Sequence, residues 1–314
     1  MALDDLLLYS GTANRPLAEA TAELLHVQLG DLRIDRFPDG ELSPLISDSV
    51  RGRDVFVIQP TSPPVNDHLV ELLLTLDALK RASARRITAV IPYYGYSRQE
   101  RKAKPREAIS AKVVANCLTG SGADRVMLLD IHAPAMQGFF DIPVDALTAI
   151  GLLERRLRAE DLSDAIVVAP DTGRVKLAER FADALGLPLG LMNKRRIDGQ
   201  VHVTHVVGDV SGRAPIVVDD IMAGGSLIGQ LPALIEAGAK PAITLAIVHP
   251  LLTGSAPERL RADFIRRILV TDSVLLPPDR RPPSLEVVSI APLLAEAIRR
   301  THDEESVSPL FQLE

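Results

Sequence analysis

The chain is predicted to be an α/β protein of two tandem domains, each a mainly parallel sheet flanked by helices. Three observations carry this. Short Val- and Ile-rich runs alternate with segments of helical period along all 314 residues. The strand candidates are apolar throughout rather than alternating, as sheets covered on both faces require. A faint internal repeat is also present: RDVFVIQP, a helix and ITAVIPYYG in the first half, then APIVVDDI, a helix and ITLAIVHPLLTG in the second. Strand and helix in alternation read as βαβ units.

In chain order, the strand candidates are Val55–Gln59, Ile87–Pro92, Val126–Ile131, Ala165–Ala169, Ile216–Asp220, Ile243–His249 and Ile268–Thr271. Asn66–Ala82 and Leu227–Ala237 show the period of amphipathic helices between them. Ala291–Arg300 is a further amphipathic helix able to pack on either domain, and Pro277–Pro283 (PPDRRPP) is a loop. The join is expected near Asp145–Gly151, giving a first domain over 1–146, with 291–314 packing on it, and a second over 147–290.

Composition narrows the function class. The chain is 46% apolar and 24% charged, as in ordinary globular proteins. The net charge of −6 argues against whole-surface nucleic-acid binding. The single cysteine, Cys117, excludes an intrachain disulfide and fits a reducing compartment. The start, MALDDLLLYSG, has two Asp where a secretory signal needs basic residues. No apolar run reaches the ~20 residues of a membrane span. A cytoplasmic protein with no membrane partner is expected.

In open α/β sheets, ligands bind outside the carboxyl ends of the strands, and four polar clusters follow strand candidates. In Val217–Ser226 (VVDDIMAGGS), two carboxylates end an apolar strand and a Gly-rich turn opens a helix. Buried acids are costly without hydroxyls or a cation to meet, and a Gly-rich turn presents backbone N–H groups to a phosphate. This suits a sugar phosphate; a capped strand end with a tight turn is the plainer reading. Tyr93–Glu107 holds three of the four tyrosines and five basic residues between Arg98 and Arg106. It is either a solvated face or a loop able to close over a polyphosphate. His132 and Asp171 each follow an apolar strand, as structural residues or as Mg²⁺ ligands. Asn193–Arg196 (NKRR) follows LPLGLM, as a basic strand end or a set of cations for phosphoryl-transfer charge.

Together these segments resemble the ribose-phosphate pyrophosphokinase (phosphoribosyl diphosphate synthase) family. The matching stretches are FPDGE (37–41), SVRGRDVFVIQPTSPPVND (49–67), PYYGYSRQERKAKPREAISAK (92–112), GADRVMLLDIHAPAMQGFFDIPVD (122–145), APDTG (169–173), NKRR (193–196), VVDD (217–220) and LLAEAIRRTHDEESVSPLF (293–311). They run in the family's order over nearly the whole chain. The resemblance implies two phosphoribosyltransferase-type domains and transfer of the diphosphoryl group of ATP to the 1-hydroxyl of ribose 5-phosphate. It also implies a homo-oligomer, a hexamer in the family.

Residue by residue, the resemblance implies that Phe37, Asp39 and Glu41 hold adenine from a neighbouring subunit, with Arg98 and Gln99 completing the ATP site. It places His132 and Asp171 on the Mg²⁺ that carries ATP. Asp219 and Asp220 would bind the ribose hydroxyls, with or without a second Mg²⁺, and Gly224, Gly225 and Ser226 the 5-phosphate. Lys194 and Arg196 would stabilise the transferring group from a closing loop. Ser49, Arg51, Ser306 and Ser308 resemble the regulatory phosphate site of allosteric members.

Three departures stand out. The family's DD-hydrophobic-hydrophobic-D-T-A-G-T loop is here DDIMAGGSL, one residue shorter, without the third acid and its Thr. Arg174 stands where the family has a second Gly, able to crowd the metal site or to contact phosphate, and Ala146 replaces a regulatory-site Asn. These leave an alternative: a non-catalytic paralogue acting as a regulatory or scaffolding subunit. A phosphoribosyltransferase consuming the product shares the fold but leaves the PYYGYSRQERK and FPDGE segments unexplained.

Overall fold

The computed structural model describes residues 5–197 and 200–310, and for 194–197, 200–202 and 204 the backbone alone. The chain divides into two compact units. Among the described residues, the first holds 5–148, 273–275 and 289–310, and the second 149–272 and 276–288.

The first unit is built on β1 (Leu6–Ser10), α1 (Arg15–Leu25), β2 (Leu32–Arg36), β3 (Leu42–Ile46), β4 (Asp54–Ile58), α2 (Val65–Arg81), β5 (Arg86–Ile91), α3 (Ser110–Ser121), β6 (Arg125–Leu129) and β7 (Val144–Leu147). Five strands form one parallel sheet in the order β1-β4-β5-β6-β7. All five residues of β4 are buried, so its apolar run is what a strand covered on both faces needs. β2 and β3 make a separate antiparallel hairpin with half-exposed strands. Helix ends follow local chemistry: the Asn14 side chain accepts from Leu17 N–H at the start of α1, and Gly122 takes the left-handed conformation that ends α3.

The second unit contains α4 (Ile150–Arg158), β8 (Ala165–Ala169), α5 (Val175–Leu185), β9 (Leu189–Ile197), β10 (Gln200–Val207), β11 (Ala214–Met222), α6 (Pro232–Glu236), β12 (Ile243–Pro250), α7 (Ala256–Arg259), β13 (Ile265–Thr271) and β14 (Leu285–Val288). Its seven-stranded sheet has the order β10-β9-β8-β11-β12-β13-β14, antiparallel only at the β10 edge. The centre of that sheet carries the core, with β12 buried along its whole length. The last helix, α8 (Ala291–His302), belongs to the first unit and packs on α1.

Three expectations need correction. NKRR is not beyond a strand: it lies inside β9, laddered antiparallel to β10, with Lys194 opposite Val203 and Arg196 opposite Val201. Strand β11 does not stop at Asp220; Ile221 and Met222 continue the ladder against His249 and Pro250. The helix expected over Leu227–Ala237 is a 3₁₀ turn, Ile228–Gln230, and the five-residue α6. Pro232 accounts for the break, since it lacks an N–H and its ring clashes with the carbonyl four residues earlier.

Candidate active site

Asp219 and Asp220 lie at the carboxyl end of β11, next to β8 in the sheet. From the end of β8 the chain makes one 3₁₀ turn, Thr172–Arg174, capped by Asp171, whose Oδ1 accepts the Gly173 N–H at 3.0 Å. That turn delivers Arg174 onto the acids. Its Nε lies 3.1 Å from Asp219 Oδ1 and its Nη2 2.9 Å from Asp220 Oδ1. The three side chains are only 16%, 17% and 8% exposed, so this is a shielded charge cluster. Burial drives the Asp219 carboxyl well above the usual carboxylate range, and the neighbouring Asp220 charge adds to this. Arg174 opposes the rise.

Beyond the acids, the Gly-rich segment is a turn held from below. Leu251 and Leu252 donate to Met222 O, and Thr253 donates to Ala223 O at 3.0 Å. Gly225 is buried with φ +78°, where a Cβ would meet Ile228 Cδ1 at 3.2 Å and Ala256 at 3.3 Å. Only glycine takes that conformation at low cost. Gly224 and Ser226 are exposed beside it. No long helix stands behind this turn, contrary to expectation, so phosphate donors here would come from the turn's own amides and the Ser226 hydroxyl rather than from a helix dipole.

In the first unit, Phe37, Asp39 and Glu41 come together on the turn of the β2–β3 hairpin. Phe37 N–H donates to Glu41 O at 2.8 Å and Glu41 N–H to Asp39 Oδ1 at 3.1 Å. Phe37 is 52% exposed, a large apolar ring presented to solvent. Arg36 fixes the turn through Gly40 O and reaches Asp67 on α2 at 2.7 Å.

Arg98 and Gln99 are exposed on the segment after β5. Its start is firmly seated: Thr61 Oγ1 accepts from Gly95 N–H, Tyr94 OH donates to Ala111 O at 2.9 Å, and the Tyr94 ring meets Phe140 edge-on at 5.9 Å. Tyr94 is therefore an anchor, and Arg98, Arg101, Lys102, Lys104 and Arg106, which follow it, are exposed. Gln99 Oε1 accepts from Ser110 Oγ at 2.7 Å, at the first residue of α3.

His132 is half-buried just after β6, whose end is marked by Asp130 at φ +39°, accepting from Thr148 Oγ1 at 2.8 Å. His132 lies in the first unit and Asp171 in the second. Among the described residues no three His, Cys, Asp or Glu side chains gather as a metal cage. The side chains of Lys194 and Arg196 lie outside the described residues. Of the expected regulatory residues, Arg51 donates to Ser83 Oγ at 3.2 Å, and the Ser306 carbonyl accepts from Arg300 at 2.9 Å. Ser308 N–H donates to Ser306 Oγ, and Ser49 is exposed.

Residues 6–122 match the N-terminal domain of ribose phosphate pyrophosphokinase, and residues 199–312 match the phosphoribosyl synthetase-associated domain. The chain is 46% identical over 308 residues to a ribose-phosphate pyrophosphokinase of Bacillus caldolyticus, covering 98% of both chains. It belongs to the ribose-phosphate pyrophosphokinase family. Another relative of that name, from Thermosipho africanus, is 45% identical and covered to 99% on both sides. The fold agrees: the phosphoribosylpyrophosphate synthetase of Mycobacterium smegmatis superposes with a TM-score of 0.91 at 42% identity, covering 96% of this chain and 99% of that one.

Within this pyrophosphokinase frame, the feature missed from sequence is what Arg174 does. Its position, where the family has Gly, was a visible signal. Its contact with both acids was not, because these residues are 45 and 46 positions apart in the chain.

Proposed function

We propose that this chain transfers the diphosphoryl group of ATP to the 1-hydroxyl of ribose 5-phosphate, giving phosphoribosyl diphosphate and AMP. The observation that carries the reading is the full-length identity to ribose-phosphate pyrophosphokinases. The acid pair and glycine turn at the end of β11 support it.

In this reading the sugar's ring hydroxyls face Asp219 and Asp220, and its 5-phosphate lies on the amides of Gly224, Gly225 and Ser226. Adenine takes the exposed face of Phe37, with Asp39 and Glu41 of the same turn reading its polar edge. A planar guanidinium stacks on a base as an ammonium cannot, which suits Arg98, with Gln99 beside it. The 1-hydroxyl oxygen bonds to the β-phosphorus of ATP and gives up its proton to solvent, while the bond from that phosphorus to the α–β bridging oxygen breaks and AMP leaves with that oxygen. Lys194 and Arg196 supply positive charge where negative charge grows on the transferring group. Catalysis is alignment plus charge neutralisation, with no covalent enzyme intermediate.

A divalent ion, Mg²⁺, would arrive on the ATP phosphates, and His132 and Asp171, each within its own unit, are the side chains the resemblance offers it. Mg²⁺ usually keeps several waters and takes one or two protein groups plus phosphate oxygens. When bound it neutralises phosphate charge. The exposed Phe37 turn would serve the ATP site of a neighbouring subunit in a homo-oligomer, a hexamer or a related assembly by the resemblance, acting in the cytoplasm. The Ser49, Arg51, Ser306 and Ser308 group would take a regulatory phosphate.

The test is release of AMP from ATP by the purified protein, with Mg²⁺ present, dependent on ribose 5-phosphate. Formation of phosphoribosyl diphosphate in equal amount is the expected result. No AMP release would leave the paralogue as the better description.

A further inference from the structure

We propose that Arg174 is the resident cation of the sugar half of the site, holding the place at Asp219 and Asp220 that a second divalent ion would take. Only the identity of the sugar rests on the function proposed above. The charge arrangement stands by itself.

The geometry is specific. Two adjacent carboxylates at the end of a buried strand need compensation, because an uncompensated shielded charge is strongly unfavourable. Arg174 meets both at once, Nε on Asp219 Oδ1 at 3.1 Å and Nη2 on Asp220 Oδ1 at 2.9 Å. A guanidinium keeps its charge at every physiological pH and offers its donors as a rigid fork. Its approach is fixed from behind: Arg174 closes the 3₁₀ turn capped by Asp171 and immediately precedes α5. The side chain, 16% exposed, is therefore an element of the site rather than a passing surface contact.

A Mg²⁺ ion needs oxygen ligands at about 2.1 Å in near-octahedral geometry. Here one oxygen of each acid already accepts from the guanidinium, and the positive charge would stand beside the incoming ion. The acid pair with Arg174 in place does not fit a second divalent ion. A glycine at position 174, as the family pattern has, would leave the acids without this partner. The shortened DDIMAGGSL loop and Arg174 then belong together: a site with fewer side-chain oxygens beside its phosphate turn carries a permanent cation instead of recruiting one. Arg174 acts through the acids and is a positioning residue.

The experiment is a calorimetric titration with Mn²⁺ alone, without nucleotide or sugar. It compares wild type, Arg174→Gly, Arg174→Lys, Asp220→Asn and the double variant Arg174→Gly/Asp220→Asn. Wild type should show no Mn²⁺ binding that Asp220→Asn removes. Arg174→Gly should gain a site at least ten-fold tighter than any at this position in wild type, lost again in the double variant. Arg174→Lys should stay nearer wild type, since it restores the charge but not the fork. In turnover, the KM for ribose 5-phosphate of Arg174→Gly should rise several-fold and fall back as free Mg²⁺ is raised beyond ATP saturation, with kcat moving less. An Asp220-dependent Mn²⁺ site in wild type overturns the proposal. So does an Arg174→Gly protein with a wild-type circular dichroism spectrum that gains no site. Should Arg174→Gly not fold, wild type against Asp220→Asn still decides. The metal titration needs no catalysis, so an inactive chain would defeat the proposed function without touching this result.

Discussion

His302 Nδ1 stands 2.8 Å from Asp54 Oδ2, joining the last residue of α8 to the first residue of β4 across 248 positions of sequence. Asp54 is fully buried, and Arg86 of β5 completes the cluster with a fork on both of its oxygens and a third bond to Thr301 O at 3.0 Å. One acid thus ties two neighbouring strands and the C-terminal helix together.

Arg86→Ala should destabilise the protein by about 3 kcal/mol, the usual cost of stranding one partner of a buried pair. Chemical denaturation measures it. Arg86→Ala/Asp54→Asn should recover part of the loss, because the stranded charge is then gone. A loss under ~0.5 kcal/mol would show that the cluster is not needed for stability.

Glu154 of α4 is buried, and its Oε1 accepts no hydrogen bond among the described residues. Burial raises its carboxyl above the usual glutamate value, with Arg158, Arg180 and Arg155 opposing. The folded state therefore binds this proton more tightly than the unfolded state. Stability from this group is greatest below the ordinary glutamate value and is lost as pH rises toward the raised one. Glu154→Gln should stabilise the chain at neutral pH by roughly 1 kcal/mol and flatten that part of the pH–stability curve. Thermal melts at pH 4 and pH 7 check both points. Equal effects at the two pH values would refute the assignment.

Gly225 sits at φ +78° with Ile228 and Ala256 against the position of a Cβ. Gly225→Ala should strain the turn by about 1 kcal/mol and raise the KM for ribose 5-phosphate more than that for ATP. An equal rise in both would mean that the turn does not address the sugar phosphate.

Lys194→Ala should lower kcat by a hundred-fold or more while the KM for ATP stays within a few-fold. The motive is a cation meeting charge that develops only in the transition state. Unchanged turnover in a steady-state AMP assay would remove Lys194 from catalysis.

Phe37→Ala should weaken ATP binding several-fold without changing stability, because the 52% exposed ring contributes little to its own unit's core. Dilution to monomers should remove nucleotide binding and activity together. Full activity in a monomer, checked by analytical ultracentrifugation, would contradict a shared site.

Much of this protein is decided locally. Continuous apolar runs such as VFVI and LAIV have no stable place except inside a sheet covered on both faces, so β4 and β12 were legible from the residues alone. The adjacent acids and the glycine turn were visible in the sequence as residue types that follow an apolar strand. The broken helix after Ser226 was also within reach, since Pro232 stands inside the segment expected to be helical. The long β9–β10 ribbon was less so. A polar strand segment such as NKRRI takes its conformation from a partner's ladder, not from its own pattern.

What tertiary structure alone decided are pairings between distant residues. The periodicity of Ala291–Arg300 announces a buried face but not its partner; contact with α1 and the His302–Asp54 bond choose the first unit. Arg174 is a single basic residue in the sequence and becomes the counter-charge of Asp219 and Asp220 only because β8 and β11 are neighbours in the sheet. Hydrophobic pattern acts over a turn or a strand, whereas ion pairing depends on distances of a few ångströms that only the folded chain sets.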